Sequence, residues 1–300
     1  MRPSIAGILQ DRVALLDGGI GSSLIARGLE SGHSPEAWNL ERPDQVREVH
    51  AGYVASGSDV IQTNSFGGNE FILKNHGLEG RMEEINLAAA RLAREAAGAD
   101  RLVAGNMGPS GLLLSPLGEA EPAALEEGFA RQAAALEAGG VDYVTVETMM
   151  DLNEALCALR GILAATRLPV TVSMTFDRKK RGFFTMMGNT PEVCMKTLAD
   201  EGASAVGANC SIGSDDMVAL CPILLEATAT PVIVKPNAGL PAMVDGRPVY
   251  GQEPEDFARD IAAMVRLGAR AVGGCCGTDA RFIAAVKAEV DRLSGGDASP

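Results

Sequence analysis

Residues 143–175 read YVTVETMMDLNEALCALRGILAATRLPVTVSMT, and they hold the pattern that decides the fold. A short β-branched run, Tyr143 to Glu147, leads into a longer Ala- and Leu-rich segment, Leu152 to Ala165. A second β-branched run, Val170 to Thr175, follows. Working outward in both directions, the same alternation occurs eight times in the 300 residues. The predicted strands are Val13 to Leu16, Asp59 to Thr63, Leu102 to Asn106, Tyr143 to Glu147, Val170 to Thr175, Ala205 to Asn209, Val232 to Pro236 and Ala271 to Gly274. The predicted helices are Pro43 to Ser56, Met82 to Ala97, Pro122 to Ala138, Leu152 to Ala165, Pro191 to Glu201, Asp215 to Ala227, Pro254 to Leu267 and Arg281 to Leu293. Four prolines stand at helix starts, where a missing N–H costs little. Strands separated by helices pair in parallel, and eight such units in one chain of this length predict an α/β fold, a single (β/α)₈ TIM barrel. The barrel is expected to occupy residues 1–293, with 294–300 as a disordered tail. A doubly wound sheet lacks its glycine fingerprint here, because Asp17-Gly18-Gly19-Ile20-Gly21-Ser22 has the wrong spacing.

Composition narrows the function classes. With 46% hydrophobic residues the chain buries a sizeable core, and no apolar stretch approaches the length of a membrane span. The net charge of −13 argues against nucleic acid as a partner. The N-terminal residues lack a signal-peptide pattern, so the expected setting is cytoplasmic and thiol-reducing, and no membrane partner is expected. The run Arg178-Lys179-Lys180-Arg181 reads as a solvated loop.

A barrel places its chemistry at the C-terminal ends of its strands, and polar residues gather at those ends. Asp17 follows the first strand, Thr63 and Asn64 close the second, and Glu147 and Thr148 close the fourth. Thr175 ends the fifth, Asn209 and Cys210 the sixth, Asn237 the seventh, and Cys275 and Cys276 the eighth. Three thiols at two strand ends suit a zinc site with one coordination position open, since catalytic zinc has three protein ligands and structural zinc four. A redox dithiol and inert packing are the competing readings of the adjacent pair. Cys157, Cys194 and Cys221, each inside a helical segment, read as packing residues. His33, His50 and His76 read as surface or cap residues.

These residues resemble the zinc-dependent homocysteine S-methyltransferase family over nearly the whole chain. The resemblance is carried by Leu16-Asp17-Gly18-Gly19-Ile20-Gly21, Gln62-Thr63-Asn64-Ser65-Phe66, Val146-Glu147-Thr148, Gly207-Ala208-Asn209-Cys210, Pro236-Asn237-Ala238-Gly239 and Gly273-Gly274-Cys275-Cys276-Gly277-Thr278. It is nearest to the homocysteine module of cobalamin-dependent methionine synthase and to single-domain bacterial relatives. It implies Zn²⁺ held by Cys210, Cys275 and Cys276, homocysteine bound there as its thiolate, and methyl transfer to give methionine. It further implies that Asp17 and Glu147 bind the substrate ammonium, that amides around Gly18, Gly19 and Ser65 hold the carboxylate, and that Asn237 and Thr63 orient the site.

The donor implied is a methylcorrinoid (methylcobalamin) on a separate protein, slightly preferred, or a small molecule, S-methylmethionine or betaine. Betaine is disfavoured: the family's betaine enzymes have a tyrosine where Thr148 stands, and a tryptophan that the segment His33-Ser34-Pro35 lacks. Trp38, Phe66 and Tyr250 are the aromatics left to meet a cation, with packing as the competing role of Trp38 and Phe66. Two alternatives remain at this level, a Schiff-base barrel aldolase using Lys235 and a non-catalytic zinc-binding protein. In the aldolase reading Lys235 faces the barrel interior; otherwise it points outward between helices.

Overall fold

A computed structural model describes residues 4–30, 32–244 and 247–295. Eight parallel strands form one sheet: β1 Ala14–Leu15, β2 Val60–Gln62, β3 Leu102–Met107, β4 Tyr143–Met149, β5 Val170–Met174, β6 Ala205–Gly213, β7 Val232–Asn237 and β8 Ala271–Val272. Their spatial order is β1-β8-β7-β6-β5-β4-β3-β2, so neighbours in sequence are neighbours in space. The seam between β1 and β2 is closed by a backbone bond and two carboxylate side chains. Asp59 donates its amide to the Leu15 carbonyl at 2.7 Å and accepts the Leu15 amide at 2.8 Å through Oδ2. Asp17 Oδ2 accepts the Gln62 amide at 2.7 Å. The expected (β/α)₈ barrel is therefore the fold.

Eight outer helices cover the sheet: α1 Pro43–Ala55, α2 Met82–Ala97, α3 Pro122–Ala138, α4 Leu152–Ala165, α5 Pro191–Asp200, α6 Ser214–Ala227, α7 Pro254–Leu267 and α8 Ala280–Gly295. Each predicted helix is present, with ends within two residues of expectation. The helix α8 runs through Ser294 and Gly295, which were expected in the tail; residues 296–300 lie outside the described residues. Strands buried on both faces need a β-branched run but no alternation, which is why their positions were legible.

Several elements lie outside that alternation. A short helix, Ile5–Asp11, capped by the Ser4 side chain, inserts Ile5, Ile8 and Leu9 among the lowest inward residues of the barrel, including Val60, Leu102, Tyr143 and Ile233. It plugs the end away from the thiols. A second short helix, Ile20–Ala26, follows β1 directly. Two hairpins, Asp177–Lys179 with Gly182–Phe184 and Ala242–Val244 with Arg247–Val249, stand on the C-terminal face. The basic run from Arg178 lies in the first hairpin, where Arg178 pairs with Asp216 at 2.5 Å.

Cys157, Cys194 and Cys221 are buried in α4, α5 and α6, as packing residues. His50 departs from expectation. It is fully buried in α1 with neither ring nitrogen partnered, and burial lowers its pKa to about 4, so it is neutral.

Candidate active site

Alternation along the strands decides what faces the barrel interior. On β4 the inward set is Tyr143, Thr145 and Glu147, and on β7 it is Ile233, Lys235 and Asn237. The lower members of these sets are largely apolar and the upper ones polar. Above the hydrophobic plug they form a network of buried polar groups. Lys235 Nζ donates to Glu147 Oε1 at 2.8 Å and Oε2 at 3.2 Å, and also to Gln62 Oε1. Gln62 Nε2 donates to Glu147 Oε1 at 2.6 Å. Lys235 is 1% exposed and Glu147 4%. Burial works against the lysine charge, but Glu147 and then Asp17 outweigh it, and the Lys235 pKa lies above the ordinary lysine value.

Lys235 thus points inward, as the aldolase reading requires. An imine-forming lysine must nevertheless present an uncharged amine. This one is held charged and bonded to Glu147, which counts against Schiff-base chemistry. Neither Lys235 nor Gln62 was assigned to the substrate site from the sequence. The inward parity of Lys235 with Asn237, both at the end of one strand, was the signal available.

The thiols converge as expected. Cys210, at the end region of β6, and Cys275 and Cys276, after β8, place their sulfurs within 4.8 Å of one another. The Cys210 and Cys276 sulfurs are 4.0 Å apart. A tetrahedral zinc with sulfurs at about 2.3 Å separates them by roughly 3.8 Å, so the trio fits such an ion after small adjustments. No fourth Cys, His, Asp or Glu joins them among the described residues. In the absence of metal, the hydrogen bond with Cys210 and burial push the Cys275 thiol up to about 12. The close approach of the β1 turn is specified by glycine: a Cβ on Gly19 would lie 2.6 Å from the Cys275 carbonyl oxygen.

Beside the thiols opens a cavity of about 330 Å³, within the range of small-molecule sites. Gly18, Gly19, Thr63, Ser65, Glu147, Cys210, Cys275 and Cys276 line it, as do Gln62, Lys235, Glu36 and Phe66. Asp17 and Asn237 do not. Asp17 lies deeper, fully buried, with Oδ1 unpartnered, and burial raises its pKa to about 7 despite Lys235 and the Gln62 amide. Asn237 Oδ1 accepts the Cys276 amide at 3.1 Å and so shapes the thiol loop. Thr63 and Ser65 hydroxyls are 2.5 Å apart, and Ser65 Oγ donates to the Asn106 carbonyl at 2.7 Å. The Ser65 amide donates to the Thr63 carbonyl, and the Gly19 amide to Thr278, so both are engaged internally.

The aromatics divide. Trp38 is buried, with the Arg42 guanidinium 5.4 Å from its ring centroid, and belongs to packing. Phe66 is 38% exposed on the cavity wall. Its ring covers Gly108, where a Cβ would come within 2.5 Å. Tyr250 packs over Gly277, where a Cβ would come within 2.2 Å of its ring.

Comparison with known proteins supplies the family. The family model described as homocysteine S-methyltransferase matches residues 14–290. Methionine synthase from Mycobacterium tuberculosis is 30% identical over 306 residues, covering 95% of this chain and 25% of its own length. The Mycobacterium leprae methionine synthase is also 30% identical, over 96% of this chain and 25% of its own. The chain thus spans about a quarter of the length of these relatives. Among solved structures, the metallated form of the homocysteine methyltransferase MmuM from Escherichia coli superposes with a TM-score of 0.79 at 26% identity, covering 94% of this chain and 98% of that one. The chain belongs to the homocysteine S-methyltransferase family.

Proposed function

We propose that this protein transfers a methyl group to the thiol of homocysteine, forming methionine. The single observation that carries the reading is the meeting of Cys210, Cys275 and Cys276 beside a cavity whose wall holds Glu147. Cys210, Cys275 and Cys276 would hold a zinc ion with one coordination position open, and when bound it would supply Lewis acidity that lowers the pKa of the substrate thiol, whose proton passes to solvent. The sulfur lone pair attacks the methyl carbon, the S–C bond forms as the bond to the donor breaks, and the electron pair leaves with the donor.

The chain's own residues bind and orient. Glu147, on the cavity wall, receives the substrate ammonium, while Lys235 and Gln62 fix its carboxylate from behind. Asp17 contributes its charge from below that pair and closes the barrel seam, and is not a direct contact. Gly18 and Gly19 let the cavity floor approach the thiols, Thr63 and Ser65 form a polar shelf, and Asn237 holds the Cys276 loop. The methyl group comes either from a corrinoid on a separate protein or from a small donor, S-methylmethionine or betaine. A cytoplasmic location suits the free thiols, and no helix among the described residues is long and apolar enough to cross a membrane.

The test is methyl transfer to homocysteine by zinc-loaded and zinc-stripped protein with each donor in turn. Zinc-dependent methionine formation is expected and names the donor. Homocysteine binding without turnover calls for the corrinoid protein to be added. Failure to bind homocysteine refutes the substrate.

A further inference from the structure

Asn209 precedes the first thiol and has no role in the function just described, yet its side chain is fully buried and touches both halves of the site. Its Oδ1 accepts the Thr148 amide at 2.8 Å, and its Nδ2 donates to Thr148 Oγ1 at 2.7 Å. The same Nδ2 faces the Cys275 sulfur at 3.7 Å. We propose that Asn209 is a positioning residue that couples the substrate arm of the site to its metal arm, donating a hydrogen bond to the Cys275 sulfur while clamping Thr148.

The backbone supplies an independent reason for such a clamp. Thr148 has φ 63°, and Cys210 and Ser211 have φ 60° and 59°. Left-handed backbone is rare for a β-branched residue and persists only where the surroundings hold it. Both ladders lose register at these points, β4 against β5 between Val146 and Met149, and β6 against β7 between Asn209 and Gly213. Sheet pairing therefore skips Thr148 and Cys210, resumes only at Met149 and Gly213, and does not fix the skipped residues. The Asn209 amide does so for Thr148, the residue after Glu147 and a member of the cavity wall.

Because Oδ1 is committed to the Thr148 amide, the orientation of the side chain is determined and Nδ2 must face the thiols. A carboxamide is suited to this position, since it accepts on one side and donates on the other. Donation to a metal-bound sulfur orients the ligand and tempers its charge, and loss of such a partner typically weakens metal binding 10- to 100-fold.

The inference rests on the metal reading of the three thiols, and the experiment separates the two. Zinc affinity is measured by chelator competition on the wild type and on Asn209→Asp. Aspartate keeps an acceptor for the Thr148 amide and another for the Thr148 hydroxyl, but presents no donor to sulfur. Wild-type protein that takes no zinc refutes the metal reading itself. Wild-type binding with a loss of tenfold or more in Asn209→Asp supports the inference, and a smaller loss overturns it. Should the variant not fold, cadmium-113-loaded wild type decides, through scalar coupling between the metal and the Asn209 side-chain amide protons. A coupling across N–H···S–Cd is expected, its absence overturns the inference, and a merely structural clamp on Thr148 gives none.

Discussion

Replacing Lys235 with methionine removes the single cation from a buried group that also holds Glu147 and Asp17. The lysine makes contacts of 2.8 and 3.2 Å to Glu147 and one to Gln62, at exposures of 1% and 4% for the pair. Deleting one partner of such a pair strands a buried charge and costs about 3–5 kcal/mol, a large fraction of a typical folding free energy. The loss depends on pH. Asp17 already has its pKa raised from 3.8 to about 7 by burial, with Lys235 pulling it down. Removing Lys235 raises it further. An acid whose folded pKa is raised favours folding below its unfolded pKa, and that contribution is lost as pH rises through the folded pKa. The deficit of Lys235→Met is therefore expected to be greatest at about pH 8 and to shrink at about pH 5, where protonation relieves the stranded Asp17. Denaturant unfolding of zinc-stripped wild type and variant, followed by circular dichroism at both pH values, measures it. Adding Glu147→Gln to Lys235→Met should recover most of the loss at the higher pH. A cost below about 1 kcal/mol, the range of an exposed ion pair, or an equal cost at both pH values would refute this account of the network.

Cys210→Ala, Cys275→Ala and Cys276→Ala should each abolish zinc retention and methyl transfer while the far-ultraviolet spectrum stays that of a barrel; full zinc content in any one would remove that residue from the ligand set. Asp17→Asn should flatten the stability profile between about pH 4 and pH 7, since it removes the acid whose ionisation opposes folding there, and an unchanged slope in the same unfolding assay would contradict its raised pKa. Phe66→Ala should leave zinc stoichiometry intact and raise the KM for the methyl donor, since it removes an exposed ring from the cavity wall; unchanged KM values for both substrates would assign the ring to packing alone.

The architecture was readable because each of its parts is local. A both-faces-buried strand is a short β-branched run, and a helix start is marked by proline, so eight strand ends and the residues on them could be listed without coordinates. Cys210, Cys275, Cys276 and Glu147 follow from that register, and a resemblance to known sequences added zinc and homocysteine to them. What tertiary structure alone decided is which inward-facing groups meet. Lys235 is 88 residues from Glu147 and 173 from Gln62, and whether it pointed inward or between helices depended on strand parity once the barrel closed. Closure also made Asp17 a seam residue beneath the cavity and sent Trp38 into packing, while Phe66 took the cavity wall. His50 could be read as a surface group from its neighbours, yet it is buried, since the face of α1 that meets the rest of the molecule is set by docking. The short helix Ile5–Asp11 is likewise held by contacts distant in sequence. Residue identity established what the strand ends can do, and barrel closure selected which of those groups act together.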